Sequence, residues 1–104
     1  MESLPLTPPP DVPPGTAELA DALLSLRNRD EMLRFLRDLC TLPELEAFGH
    51  RWQIVNLLEQ NAPYLEIAER VGASTTTVTR VAHWLRHGAG GYGTALERLR
   101  RKRR

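Results

Sequence analysis

An all-α fold of about six helices follows from three features of the sequence. Apolar residues recur at spacings of three and four through most of the chain, no stretch alternates apolar and polar as a half-buried strand would, and capping or breaking residues separate the helical runs. The composition agrees. A chain of 104 residues, 26% of them charged and 6% aromatic, fits one small domain without a second core.

Taken in order, the first fifteen residues, MESLPLTPPPDVPPG, hold six of the eight prolines. Proline lacks an amide donor and blocks helix continuation, so residues 1–15 read as a disordered arm. Thr16 is placed to cap a first helix with Leu19, Leu23 and Leu26 on one face, running to about Arg29. Asp30 is placed to cap a second, in which Met32, Phe35, Leu36, Leu39 and Cys40 make one wide apolar stripe. That stripe is core or partner surface.

TLPE, Thr41 to Glu44, has the capping-box pattern and opens a third helix. Its apolar row of Leu45, Phe48, Trp52 and Val55 is widened by Ile54, Leu57 and Leu58, which predicts burial over much of its girth until Asn61 ends it. Pro63 introduces a short fourth helix, Tyr64 to Val71, and a fifth begins after Ser74. Gly88, Gly90, Gly91 and Gly93 mark its stop and a flexible link. TALE, Thr94 to Glu97, then offers a second capping box for a last helix whose inner face carries Leu96 and Leu99. The helical domain is thus expected over 16–97, with a basic tail at 98–104.

The net charge of +1 conceals an asymmetry. Arg98, Arg100, Arg101, Lys102, Arg103 and Arg104 crowd the last seven residues, and every carboxylate precedes them. Such a run seeks polyanions whether or not it forms a specific site. Cys40 is the only cysteine, which rules out an intrachain disulfide and suits a reducing compartment. On its apolar stripe it reads as a small core hydrophobe. No run reaches the length of a membrane span and the N-terminus lacks signal-peptide order, so a cytoplasmic protein with no membrane partner is expected.

GASTTTVTRVAHW, Gly72 to Trp84, carries the function. Three successive threonines are a weak start for a helix. With Ile67 and Val71 on the inner face of the fourth helix, small Ala68 at a close approach, Gly72 in the turn, and Val78 and Val81 facing back from the fifth, residues 64–87 read as a helix-turn-helix. The threonines then sit in the first turn of the recognition helix, where free amides, the positive dipole end and short hydroxyls favour phosphate oxygens. Threonine methyls also fit the thymine methyl. The expected contacts are Ser74, Thr75, Thr76, Thr77, Thr79, Arg80 and His83, with Arg80 as a guanine reader or phosphate clamp.

ELEAFGHRWQIVNLLEQN followed by YLEIAERVGASTTTVTRVAHWL resembles the Trp repressor family, and more closely its branch known as YerC/YecD, to which the GGYGTALERL close is also similar. The resemblance spans about Leu33 to Leu99. It implies an intertwined homodimer that presents two recognition helices to successive major grooves, with half-sites about 34 Å apart. A small chain with wide apolar stripes gives independent reason to expect a partner.

The resemblance also implies an effector site, since Arg51 and Arg80 match the two arginines that grip the tryptophan corepressor in that family. Val81 and Trp84, however, replace the small glycine and serine that make room for it. The expectation is therefore that Trp84 or its neighbours fill the space and that tryptophan is not sensed. Whether Arg51 and Arg80 hold another anion stays open at this point, and a structural salt bridge to Glu46 or Glu59 is the expected role for Arg51.

His83 and His87 stand one turn apart, a spacing that can hold a divalent metal, but no further ligand is evident and no metal or cofactor is expected. No nucleophile and base, phosphate loop or catalytic carboxylate pair can be placed, because GAGGYG follows a helix rather than a strand. An enzyme is not expected. The leading reading is a sequence-specific DNA-binding regulator, a repressor, acting as a homodimer. The alternative is a helical protein-interaction module, with RNA binding through the tail a third.

Overall fold

The computed structural model describes residues 11–103. Six α-helices account for most of them: α1 Thr16–Leu24, α2 Arg29–Leu39, α3 Leu42–Glu59, α4 Tyr64–Val71, α5 Thr75–His87 and α6 Gly91–Arg103. No strand occurs among the described residues, and none of these helices is long and apolar enough to cross a membrane. The first ten residues of the expected proline arm lie outside the described part. The chain divides into two compact units between Leu36 and Arg37, within α2.

In the first unit, α1 is shorter than its leucine spacing suggests. Gly15, at φ +92°, occupies the cap position in place of Thr16, because a left-handed residue without Cβ reverses the chain there at little cost. The helix stops at Leu24, where the Ser25 hydroxyl donates to the Ala22 carbonyl at 2.6 Å. The cap of α2 also falls earlier than expected. Asn28 Oδ1 accepts the Glu31 amide and Glu31 Oε1 accepts the Arg27 amide, so Asn28 caps the helix and Glu31 reaches back past it to Arg27. Asp30 instead pairs with Arg34 one turn on.

The second unit is organised by α3. Thr41 and Glu44 form the capping box, with Thr41 Oγ1 accepting the Glu44 amide and Glu44 Oε1 accepting the Thr41 amide. Two orphan donors are thereby satisfied before the long helix starts. Its C-terminal half supplies Ile54, Val55 and Leu57, which cluster with Ile67 and Ala68 of α4 and Val78 and Val81 of α5. Ile54, Val55, Ile67 and Val78 have no exposure at all. α3 ends at Glu59, one turn before Ala62, and Asn61 takes the left-handed conformation that closes it.

α6 starts four residues earlier than its capping-box pattern predicts, at Gly91 instead of Ala95. Thr94 lies inside the helix and its hydroxyl donates back to the Gly90 carbonyl, the bond a mid-helix threonine makes rather than a cap. Glu97 is thereby freed to pair with Arg100 and Arg101. The basic run set apart from residue 98 continues α6 as far as Arg103. Tyr92 meets Trp52 of α3 at 6.3 Å between rings, and Arg100 reaches Glu59 at 2.8 Å.

Ile67 holds α4 against both α3 and α5, so its volume sets the geometry of all three. Ile67→Ala is expected to lower stability by about 2–5 kcal/mol and Ile67→Val by about 0.5–1.5 kcal/mol, read as shifts in the urea unfolding midpoint.

Candidate nucleic-acid interface

α4 and α5 form a two-helix bracket. Gly72, at φ +82°, is left-handed and turns the chain at the end of α4, a conformation that an L side chain would strain. The Ala68 carbonyl accepts both the Gly72 and the Ala73 amides, at 2.9 and 3.0 Å. Ala68 is itself buried, as its small size at a close approach requires. At the far end of the bracket, Arg86 Nη1 donates to the Tyr64 hydroxyl at 3.2 Å. This brace joins residues 22 apart and no local pattern in the sequence reveals it.

Ser74 caps α5. Its backbone is extended, and its Oγ accepts the Thr77 amide at 3.1 Å and lies 3.1 Å from Thr77 Oγ1. Two of the predicted contact residues are therefore engaged in building the helix end. Thr77 is half-buried, whereas Thr75, Thr76, Thr79, Arg80 and His83 are all exposed. With Ser74 serving Thr77, the Thr75 and Thr76 amides make no hydrogen bond among the described residues. They are available to an anion at the positive end of the helix dipole.

The exposed residues of α5 fall into two adjacent rows at four-residue spacing. One runs Thr75, Thr79, His83 and His87, the other Thr76, Arg80 and Trp84. Val78, Val81 and Ala82 occupy the opposite side and are buried. Hydroxyl groups thus lead at the N-terminal end, a guanidinium follows one turn later, and imidazoles stand beyond it.

Arg51 and Arg80, which the sequence pairs as an effector site, do line a common cleft of about 470 Å³. Ala47, His50, Ala73, Thr77, Val81, Trp84 and Tyr92 complete it. The expectation that Trp84 fills this space is not met. Trp84 is 56% exposed and forms a wall of the cleft, with its indole in edge contact with the His83 ring at 5.3 Å. Nor does Arg51 pair with Glu46 or Glu59. Its guanidinium lies 5.5 Å from the centre of the Phe48 ring, and Glu59 is taken by Arg100. No spacing in the sequence points to His50 or Tyr92 as cleft residues, because they are brought in by the path of α3 and by the docking of Tyr92 on Trp52.

Residues 15–100 match the family described as Trp repressor protein. The chain is 35% identical over 83 residues to the uncharacterised protein YerC of Bacillus subtilis (strain 168), covering 80% of each. Among solved structures it is similar to a TrpR-like protein from Eubacterium eligens ATCC 27750, with a TM-score of 0.78 and 39% identity over 82% of this chain and 88% of that one. It is likewise similar to a proposed Trp repressor from Staphylococcus aureus, with a TM-score of 0.78 and 37% identity over 83% and 86% of the two chains. The chain belongs to the Trp repressor family, a regulatory and non-enzymatic family in which membership points to DNA binding.

Proposed function

We propose that the protein is a sequence-specific DNA-binding transcriptional repressor that acts as a homodimer in the cytoplasm. The observation that carries this reading is the surface of α5. A capped helix start with two open amides leads into exposed rows of Thr75, Thr76, Thr79, Arg80 and His83, while the reverse face is fixed in the core. Short hydroxyls permit close approach to phosphates and thymine methyls, and Arg80 is positioned one turn deeper for a guanine or a phosphate. Ser74 and Thr77 act mainly by shaping the helix end.

Homodimerisation is supported by apolar side chains left at the surface. Leu42 is 62% and Phe48 49% exposed at the start of α3, and Leu39 is exposed at the end of α2. A second copy would cover such surface and set two recognition helices one DNA turn apart. Arg80→Ala is expected to weaken binding to a DNA site selected from a random pool by about 1–3 kcal/mol and to relax base preference, with the oligomeric state unchanged by light scattering. An unaltered selection and affinity would favour a protein-interaction module instead.

The tail contributes a sequence-independent term. If all six cations engaged phosphates, they would steepen the salt dependence by about five log units per log unit of salt. Arg100 and Arg101 already hold Glu59 and Glu97, which lowers the expected contribution to about 3.6. Arg100 sits beside Glu59, eight residues or about 12 Å along α3 from Arg51 and the cleft. The tail therefore addresses phosphates away from the first turn of α5. Removing residues 98–104 should flatten the salt slope by that amount and leave base preference intact, as measured by titrations at several salt concentrations.

Arg51 and Arg80 provide paired cations for an anionic effector, but tryptophan is not the ligand we assign. Val81 and Trp84 place an isopropyl group and an indole in the cleft wall, where the family resemblance implies small residues, and this changes the shape of the space that tryptophan would have to match. Millimolar L-tryptophan is expected to leave both the melting temperature and the operator affinity unchanged. A rise in either would reverse the assignment.

A further inference from the structure

The DNA reading uses His83 but gives no role to His87, which follows it at the C-terminal end of the exposed α5 row. Both imidazoles are exposed. Their ring centroids are 5.1 Å apart, with the planes inclined at 46°. A single metal ion held about 2.0–2.1 Å from one nitrogen of each ring, at angles between square-planar cis and tetrahedral, sets the two centroids about 4.5–5.3 Å apart. The observed spacing falls in that interval, so the rings need little more than rotation about their own side-chain bonds to chelate. His83 is also held at one edge by the Trp84 indole at 5.3 Å, which limits the rotamer freedom lost on binding.

The surroundings decide the class of ion. α5 contains no Asp or Glu, so the donors from this helix are imidazole nitrogens alone. Such a set suits late first-row divalent ions, copper above nickel and zinc, and gives no purchase to magnesium or calcium. The other charged groups of α5 are Arg80, which lines the cleft, and Arg86, which is turned to the Tyr64 hydroxyl. α5 ends at His87, with Gly88 closing it, and the negative end of the helix dipole there favours a cation.

We propose that His83 and His87 form a two-imidazole chelate site for a late first-row divalent ion on the last turns of α5. No third His, Cys, Asp or Glu joins them among the described residues. Water completes the coordination, and the ion exchanges freely. The site stands on the geometry of α5 alone; it shares His83 with the DNA reading, but its test uses no DNA, so the two fail separately.

The full chain, titrated with copper(II) chloride while indole fluorescence is recorded, tests this directly. The expected result is saturable quenching at one ion per chain, with copper electron paramagnetic resonance showing two imidazole nitrogens. His83→Ala and His87→Ala should each weaken the apparent affinity by about tenfold or more. Trp84→Phe should remove most of the quenching while the resonance signature persists, because the ion lies beside that indole. Circular dichroism checks that each variant keeps its helices. Unchanged copper affinity in the folded His83→Ala/His87→Ala double variant, a one-nitrogen signature, or equal quenching by magnesium would each overturn the assignment.

Discussion

Four side chains with no exposure, Ile54, Val55, Ile67 and Val78, hold α3, α4 and α5 at one point. Everything the molecule presents to a partner is referred to that junction. Val78 lies in α5 directly between Thr77 and Thr79, so fixing its isopropyl group in the core also fixes the rotation of α5 about its own axis. A rotation of one residue, about 100°, would carry Thr75 and Thr79 off the exposed row. The cluster is small, as a chain of this length dictates, and close packing rather than bulk makes it determinate. The Arg86 to Tyr64 bond acts at the other end of the bracket and opposes splaying of the two helices.

The surface of α5 is divided by distance from its N-terminus. Hydroxyls and open amides occupy the end where the dipole attracts anions, and two imidazoles occupy the end where it attracts cations. Between them Arg80 faces both the exposed row and the cleft shared with Arg51. A ligand held by that pair would touch a side chain that the DNA reading also uses. In that arrangement an effector and a duplex would compete for one guanidinium or share it through a common geometry.

Local chemistry was readable wherever a residue and its partner lie within one turn. The capping box of Thr41 and Glu44 and the cap at Ser74 are cases in which the pattern and the bond coincide. The reading failed where two local solutions competed. Thr16 and Gly15 could each begin α1, Asp30 and Asn28 could each begin α2, and the free backbone of glycine and the reach of Glu31 back to the Arg27 amide decided them. Thr94 shows the same ambiguity. Its hydroxyl can cap a helix or bond back one turn, and the docking of Tyr92 on Trp52 starts α6 early enough to choose the second.

The sequence by itself determined the all-helical class, the bracket of α4 and α5, and the outward rows of Thr75, Thr79 and Arg80, because helical periodicity encodes which residues share a face. Only tertiary structure decided that Arg51 lies against Phe48, that Glu59 is held by Arg100, and that Trp84 walls a cleft instead of filling it. These depend on contacts between residues far apart in the chain. A long side chain has several partners within reach, and their relative placement is set by how helices cross rather than by any spacing along one of them.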